Sequence, residues 1–487
     1  MESKKNNSSF VDSLYCIVIT VRCTLSLQTI LSIYDEKTTV TVVFFLHSMV
    51  ERCVAHMIKV CKFGGTAMAQ AESIKRVADI VVADDTRIGI VLSAPGKRHE
   101  YDTKVTDLLY RAFAEPRVWN DIRERFVDII VGLDIDFDID KEFNQIFLDI
   151  NNGINSHYIV SRGEYLIGKI FAKYIGFEFV DAKEIIMLDH NGNIDLVATR
   201  RQSKVLLNQY MHYLSSNISS SNLSKHKGFV LPGFYGACNN QICLLGRGGS
   251  DISGAILSNI LTAKVYENWT DVDGFFAFDP RFGNSNLNAT ISYRQAIDLS
   301  QFGATVLHPD SCVVASIDET PIIIKNTFAP TNCGTKVVKH NYCKKSKLVG
   351  VGGIKFNKIL QVTKPDNIGH PLSRDLLWAL HKSDIEVNNL VVNDNNAYLH
   401  LTNNTSTKDI NIFKKALKNI NSNYVVASRK LSLIKLVGRD IVDKALSILR
   451  LRDIKVVYSM VAQDSTLLGV YTKDFDKSIK VLYSSFA

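Results

Sequence analysis

The sequence predicts an α/β protein in which a mostly parallel sheet is wrapped by helices and is followed by two smaller βαββαβ modules. Short apolar runs alternate with amphipathic helical patterns over residues 57–337, and such alternation favours parallel strands joined by helices. Beyond Lys344, two segments of similar length repeat the order strand, helix, paired strands. The chain of 487 residues, 46% hydrophobic and 22% charged, has an ordinary globular composition that excludes disorder, collagen-like repeats and a coiled coil.

Charge and cysteine content narrow the classes of partner. The net charge of +8 arises from 57 basic and 49 acidic residues, without a run of five or six like charges. This favours small anions over a nucleic-acid or membrane partner. The 9 cysteines form no CxxC pair and have no histidines at zinc spacing, which indicates neither a metal cluster nor a disulfide framework and fits a cytoplasmic location. The longest apolar stretches fall short of the roughly 20 residues that a membrane helix needs.

The N-terminal segment differs from the rest of the chain. Residues 1–56 are apolar, rich in β-forming residues and without clear helix caps, so we expect an extension of unknown role, with Met57 as a candidate start. The segment MIKVCKFGGTAMA that begins at Met57 predicts a first strand that enters a glycine turn.

The elements of residues 57–337 are predicted from the periodicity of the apolar residues. Strands are predicted at Ile58–Phe63, Ile88–Leu92, Phe179–Val180, Phe229–Pro232, Val265–Trp269 and Ile322–Lys325. Helices are predicted at Glu72–Ala83, Glu164–Ile175 and Ile252–Thr262. The stretch Ser215–Lys227, rich in Ser and Asn, predicts an exposed loop.

Residues 345–487 are predicted to form a paired regulatory region. Its two units are Ile354–Leu401 and Ser432–Phe486. Their helices and paired strands are predicted at Leu372–Lys382, Ile385–Val392, Ala397–Leu401, Val442–Asp453, Lys455–Met460 and Thr466–Tyr471. Asp474–Tyr483 predicts a closing helix in the second unit, with Lys408–Asn419 as its counterpart in the first. The two short polar links between paired strands favour plain hairpin turns over effector contacts.

Two glycine motifs indicate anion binding. In Lys62-Phe-Gly-Gly-Thr66 a strand turns into a helix, where backbone amides converge and Gly64 and Gly65 let a phosphate approach. A Gly-Gly turn without a ligand explains this motif equally well. In Gly246-Arg-Gly-Gly-Ser-Asp251, Arg247 offers a fork for a carboxylate or phosphate. The alternative is that Ser250 or Asp251 merely caps the next helix, but an arginine between glycines favours the functional interpretation.

A third segment, Thr270-Asp-Val-Asp-Gly274 with Arg281 beyond it, is weak evidence alone. In their order and spacing, the three motifs resemble those of the amino-acid kinase family, and within it the aspartokinases. The resemblance covers residues 57–337 and extends to the segments Ser93–Gly96, Lys104–Asp107, Ser161–Glu164, Phe302–Pro309 and Lys325–Phe328. The paired modules resemble ACT domains, whereas residues 1–56 match nothing in the family. No GxGxxG segment remains for a fused dehydrogenase.

The resemblance implies a role for each matching residue. Lys62 would stabilise charge on the transferring phosphoryl group, and Asp251 would position that lysine. Arg247 would hold the α-carboxylate of aspartate and Glu164 its α-ammonium. The same pocket would be lined by Ser93, Thr106 and Ser250.

Nucleotide binding is expected at Lys62, Gly64, Gly65, Thr270, Asp271, Phe276 and Arg281. Mg²⁺ would be held chiefly through ATP phosphates and water, without a protein metal site. The chain has Phe276 and Thr305 where some aspartokinases have Tyr and Lys, which bears on ATP affinity. For His308 we favour a packed or capping role.

The resemblance therefore implies an ATP-dependent kinase that converts L-aspartate to 4-phospho-L-aspartate, the first step toward lysine, threonine, methionine and diaminopimelate. We expect feedback by lysine or threonine at the ACT-like modules, and a homo-oligomer formed through them. The alternatives are another amino-acid kinase, or a catalytically silent amino-acid sensor.

Overall fold

The computed structural model describes residues 58–204, 228–278, 285–303, 306–339 and 348–486, the last with short gaps at 356–358, 366–368, 370, 384, 394 and 403–404. The predicted extension over residues 1–56, the polar loop Ser215–Lys227, and the residues Arg281 and Thr305 lie outside the described residues.

An eight-stranded sheet, here called the large sheet, forms the centre of the first region, as predicted. Its strand order is β3-β4-β2-β1-β7-β9-β10-β8. Every neighbouring pair is parallel except β9 with β10. The strands are β1 (Lys59–Phe63), β2 (Arg87–Leu92), β3 (Glu178–Phe179), β4 (Phe229–Pro232), β7 (Val265–Thr270), β8 (Thr290–Ser292), β9 (Ile322–Asn326) and β10 (Thr335–Val338). A separate hairpin joins β5 (Tyr235–Cys238) to β6 (Gln241–Leu244).

The α-helices of this region are α1 (Ala71–Val82), α2 (Val105–Arg111), α3 (Val118–Leu133), α4 (Ile139–Asn151), α5 (Ser156–Ile175), α6 (Gly249–Ile260), α7 (Tyr293–Gln301) and α8 (Pro309–Ile317), and the described residues 196–204 are helical as well. Helix α5 begins at Ser156 rather than at the predicted Glu164, because the Asn155 side chain accepts a hydrogen bond from the Tyr158 amide at 3.0 Å and caps the helix there. In the described part of the chain, no helix combines the length and apolarity needed to cross a bilayer.

The core of the large sheet is buried on both faces, which explains the continuous apolar runs of its strands. Helix α6 packs on β1, β2 and β7 at the centre of the sheet. Phe63 at the end of β1 stacks on Trp269 of β7, with 5.9 Å between the ring centres. The centre of the sheet is therefore a rigid support for the turns at the ends of these strands.

Two four-stranded sheets make up the C-terminal region, as predicted. One has the order β13-β14-β12-β15 and the other β11-β16-β18-β17. The strands are β11 (Leu348–Lys355), β12 (Ile359–Thr363), β13 (Val387–Val392), β14 (Asn396–Leu401), β15 (Val425–Arg429), β16 (Leu431–Gly438), β17 (Val456–Ala462) and β18 (Ser465–Tyr471). The helices are α9 (Leu372–His381), α10 (Thr407–Ile420), α11 (Val442–Arg450) and α12 (Phe475–Phe486). The polar link in each module joins an antiparallel strand pair, β13–β14 in one and β17–β18 in the other.

The two modules do not follow one another as the repeat predicts. Ile354, assigned from the sequence to the first module, lies in β11, and β11 pairs antiparallel with β16 of the second module. The side chains of Leu348 and Val351 pack in the core of that second module. The first module, β12 to β15, is thus inserted between two adjacent strands of the second.

A mixed interface joins the two modules to the first region. The rings of Tyr398 and Tyr458 stack at 4.2 Å between centres, and His400 Nε2 lies 2.6 Å from the Tyr458 hydroxyl. Phe302, at the end of α7, is buried in the same apolar cluster. Burial lowers the pKa of His400 to about 4, so this imidazole is neutral at physiological pH.

Candidate active site

The site forms where three adjacent parallel strands end. Strands β2, β1 and β7 are neighbours in the large sheet, so their carboxyl ends lie along one edge, where ligands bind in open α/β sheets. Ser93 follows β2, the Gly64–Gly65 turn follows β1, and Asp271 follows β7. The structure thereby brings together three motifs that are far apart in the sequence.

Lys62 and Asp251 form a buried ion pair at this edge. Lys62 Nζ lies 2.6 Å from Asp251 Oδ1, and the two side chains are only 10% and 13% exposed. Strand β1 supplies the lysine, and the first turn of α6 supplies the aspartate. A short contact between opposite charges with little solvent fixes the position of the ammonium group.

Two further groups hold Asp251. The Asn268 side-chain amide donates to Asp251 Oδ1 at 3.1 Å, and the His308 backbone amide donates to Oδ2 at 3.1 Å. His308 also caps α8, since its Nδ1 accepts a hydrogen bond from the Asp310 amide, which confirms the capping interpretation. Both carboxylate oxygens of Asp251 are therefore engaged by described residues.

The start of α6 rules out the alternative of simple helix caps. Gly248 is the cap residue, in a left-handed conformation with φ 68°, and no side chain caps the helix. A Cβ atom at Gly248 would lie 2.4 Å from the His308 ring, so only glycine fits there. Ser250 is buried, and it packs so closely against Gly233 that a Cβ on that glycine would come within 2.8 Å of Ser250 Cβ.

In the Gly64–Gly65 turn, one glycine allows close packing of the backbone and the other leaves the backbone accessible to a ligand. A Cβ at Gly65 would lie 2.9 Å from the Ala94 carbonyl oxygen, and the Gly96 amide donates to the Gly65 carbonyl at 2.8 Å. Close packing thus accounts for Gly65. At Gly64 the nearest atoms to a Cβ would be the Trp269 carbonyl oxygen at 3.7 Å and Lys62 Nζ at 3.8 Å, so Gly64 lies beside the ammonium group.

The predicted nucleotide residues lie beside this turn. Thr66 Oγ1 donates to Asp271 Oδ2 at 3.2 Å, which links the glycine turn to the end of β7. Thr270 is half-buried, whereas Asp271 is exposed. Phe276 is half-buried and forms an isolated β-bridge with Leu287.

Glu164 is the most unusual group on the substrate side. It lies inside α5 and is 4% exposed, and its Oε2 has no hydrogen-bond partner among the described residues. Burial raises the pKa of Glu164 to about 8, against the opposing effects of the Ala94 amide and the Arg162 guanidinium. A buried carboxylate with an unsatisfied oxygen would gain from a cationic ligand.

The other predicted substrate residues differ in exposure. Ser93 is half-buried, and its amide donates to the Phe63 carbonyl at 3.1 Å. Thr106 lies half-buried in the first turn of α2. Arg247 lies in the exposed turn before α6, and no ion pair or side-chain hydrogen bond engages it among the described residues. The structure thus leaves its guanidinium free for a ligand.

Sequence patterns did not identify Asn268 or Arg125. Asn268 interrupts the buried strand Val265–Thr270 with a fully buried amide, and a polar residue inside an apolar strand is a signal that could have identified it. Arg125 is buried in α3 and contacts the loop that begins at Ser93, but nothing in its neighbourhood in the sequence marks it.

Comparisons with known proteins agree with this site. The model of the amino acid kinase family matches residues 57–326. Aspartokinase 3 of Bacillus subtilis is 26% identical over 458 residues, which cover 88% of this chain and 98% of that protein. The crystal structure of the aspartate kinase of Clostridium acetobutylicum is 31% identical, covers 88% of this chain and 100% of its own, and has a TM-score of 0.72. Aspartokinase III of E. coli, solved with aspartate and ADP, shares the fold at 22% identity and a TM-score of 0.71 over 88% of this chain.

The chain belongs to the amino acid kinase family. Within that family its similarity is to aspartokinases, both in sequence and in structure. The predicted resemblance is confirmed, and with it the prediction of an aspartate kinase, a phosphotransferase.

Proposed function

We propose that this chain transfers the γ-phosphoryl group of ATP to the β-carboxylate of L-aspartate. An oxygen of the β-carboxylate forms the new bond to phosphorus, and the bond from that phosphorus to the β,γ-bridging oxygen breaks. The products are ADP and 4-phospho-L-aspartate. The similarity to aspartate kinases over 88% of the chain supports the reaction class.

The observation that carries the proposal is the buried Lys62–Asp251 pair beneath the glycine turn. A carboxylate is already ionised at neutral pH, so its attack on phosphorus requires no general base. Rate must come from positioning and from positive charge that meets the phosphoryl oxygens. Lys62, fixed by Asp251 at 2.6 Å, provides that charge in a place set before the substrates bind.

The substrate half of the site has the complementary charges for an amino acid. Arg247 is exposed and unengaged in the described residues, and its fork suits the α-carboxylate. Glu164 has a buried oxygen without a hydrogen-bond partner in the described part of the chain, which suits the α-ammonium. We assign Ser93, Thr106 and Ser250 to the walls of the same pocket.

ATP would lie over the glycine turn, with its phosphates near Gly64 and Lys62 and its nucleoside toward Thr270, Asp271, Phe276 and Arg281. The open backbone at Gly64 and the lysine charge below it suit a polyphosphate. When bound, Mg²⁺ would neutralise phosphate charge, held chiefly by the nucleotide and water.

Trapping the product tests this function directly. Purified protein is incubated with ATP, Mg²⁺ and aspartate in hydroxylamine, which converts an acyl phosphate to a hydroxamate, while ADP release is measured in parallel. We expect β-aspartyl hydroxamate and ADP in equal amounts. Glutamate and N-acetylglutamate serve as competing substrates, and preference for either would favour another amino-acid kinase. An absence of ADP release with all three would favour a silent sensor.

We further propose that the C-terminal modules regulate this reaction and join subunits into a homo-oligomer. The modules form two complete sheets with their own cores, and they contact the first region through Phe302. The expected effector is lysine, with threonine second, as feedback on a route to these amino acids. An effector can act only through different affinities for active and inactive arrangements, typically about 1–3 kcal/mol.

Calorimetry separates the two effectors. Each amino acid is titrated into the full chain with and without aspartate and ATP. If one weakens the binding of aspartate or ATP, reciprocity requires that this substrate weaken its binding by the same factor. If neither binds at millimolar concentration, the modules have a structural role only.

A further inference from the structure

One loop carries predicted aspartate contacts at both of its ends. It runs from Ser93, after β2, to Thr106, in the first turn of α2. Between these ends the backbone is irregular, and residues 97–101 are exposed. A loop of this kind needs ties from outside to hold two substrate contacts at a fixed separation.

The main hydrogen bonds that hold this loop from outside come from one buried guanidinium group. Arg125, on α3, is 4% exposed. It donates to the Gly96 carbonyl at 2.7 Å, to Asp102 Oδ2 at 2.7 Å and to the Thr103 carbonyl at 3.3 Å. Gly96 lies on the outgoing half of the loop and the other two acceptors on the returning half, so one side chain joins both halves.

The two halves depend on Arg125 to different degrees. The outgoing half is also held by the Gly96 amide, which donates to the Gly65 carbonyl at 2.8 Å. The returning half has Asp102, which accepts from the Arg98 amide at 2.8 Å and from Arg98 Nε at 3.0 Å. Both of these bonds stay within the loop. Arg98 also pairs with Asp128 of α3 at 3.5 Å, but both side chains are exposed, whereas Arg125, on the same helix, is shielded from solvent. The Val105 amide also donates to the Pro95 carbonyl at 3.1 Å, so loss of Arg125 would release chiefly residues 97–104, which lie between these anchors.

The charges around Arg125 agree with a fixed tie. Although partial burial opposes the change, the hydrogen bonds from Arg98 and the attraction of Arg125 lower the pKa of Asp102 well below its usual range. Asp102 thus remains a carboxylate at any physiological pH. A lysine could not replace Arg125 here, because an ammonium group lacks the planar guanidinium that donates to three acceptors at once.

We propose that Arg125 is a positioning residue that sets the affinity for aspartate through the Ser93–Thr106 loop. It contacts the loop and has no role in the transfer itself. The inference rests on the proposed function, because it takes Ser93 and Thr106 as aspartate contacts.

Steady-state kinetics of Arg125→Lys and Asp102→Asn test the inference, since each removes the same tie from one side. We expect the KM for aspartate to rise about tenfold in both, with kcat and the KM for ATP within about threefold of the unmodified protein. Arg123→Lys is the matched control, because Arg123 lies on the same helix but is exposed and pairs with Asp140. An unchanged aspartate KM in Arg125→Lys, or a loss in kcat alone, would overturn the inference.

Hydrogen exchange separates this inference from the proposed function. The amides of residues 97–104 should exchange faster in Arg125→Lys than in Arg123→Lys, while melting temperatures stay alike. If the unmodified protein does not release ADP with aspartate, the proposed function fails, and exchange alone decides whether Arg125 holds the loop. If it does release ADP and exchange is unchanged, Arg125 is not the tie.

Discussion

The two halves of the site differ in how complete they are before any substrate binds. On the phosphate side, Lys62 is already paired with Asp251, and both carboxylate oxygens of Asp251 accept hydrogen bonds, from the Asn268 side chain and the His308 amide. On the aspartate side, Arg247 is exposed, and Glu164 keeps a buried oxygen that no described residue contacts by a hydrogen bond. One half is preorganised, and the other half lacks the charges that a zwitterion would supply.

This difference indicates where binding energy is used. A preorganised cation lowers the barrier without rearrangement at the moment of transfer. Burial keeps Glu164 mostly protonated in the free protein at pH 7, and an ammonium ligand favours its ionised form, so the affinity for aspartate depends on the ammonium group. Changes on the phosphate side should therefore affect kcat, and changes on the aspartate side should affect KM.

The largest effect should come from Lys62→Met. We expect kcat to fall at least about a hundredfold with little change in aspartate KM, because the lost charge acts mainly in the transition state. ADP release measures both constants. Lys59→Met, on the same strand, removes a lysine that pairs with Asp84 and should leave kcat nearly intact. Near-normal turnover in Lys62→Met would contradict the role of Lys62.

Arg247→Ala should act on the other half. Because the Arg247 guanidinium is exposed in the free protein, we expect its removal to cost about 2 kcal/mol of aspartate binding, the low end of the range for a truncated charge pair. The aspartate KM should rise about thirtyfold, and Arg247→Lys should recover only part of the loss. If both variants bind aspartate normally, Arg247 does not hold the carboxylate.

Glu164 should give the aspartate side a pH dependence. With a pKa of about 8, Glu164 is mostly protonated at pH 7 and must ionise to pair with the ammonium. The kcat/KM for aspartate should rise about tenfold between pH 7 and pH 9, and this rise should disappear in Glu164→Gln. A flat profile in the unmodified protein would argue against this role.

The same group predicts an opposite effect on stability. Because the folded-state pKa lies above the ordinary value of 4.5, the folded protein retains this proton longer than the unfolded chain does, and stability is lost as pH rises from about 4.5 to about 8. Glu164→Gln should therefore gain melting temperature relative to the unmodified protein at pH 8 but not at pH 4.5. Thermal unfolding at the two pH values provides the comparison.

The smallest effect should come from Asn268→Leu. This change removes one of the hydrogen bonds to Asp251 and leaves the ion pair and the His308 amide in place. We expect kcat to fall about threefold to tenfold at unchanged aspartate KM. A raised KM for aspartate would contradict the assignment of Asn268 to the phosphate side of the site.

Local patterns predicted most of the large sheet, because its strands are continuous apolar runs between helices. They also predicted the positions of Lys62 and Asp251 at strand and helix ends. They could not predict that the His308 amide and Asn268 complete the site, because these contacts join residues far apart in sequence. For the same reason they assigned Ile354 to the wrong module, since strand pairing between similar units is decided by tertiary packing and not by local periodicity.

The insertion of one module into the other also imposes an order on synthesis. Strand β11 leaves the ribosome early, but its partner β16 is made only after the whole segment from β12 to β15. The inner module can form its sheet as soon as β15 has been synthesised, because its strands are contiguous. Until β16 has been synthesised, β11 lacks this pairing partner. Gly350, Gly352 and Gly353 weaken β11 as an isolated strand and later allow close contact with Leu299, Phe302 and Phe475. The glycines that let the finished domains pack tightly thus also limit wrong pairing while the chain is still growing.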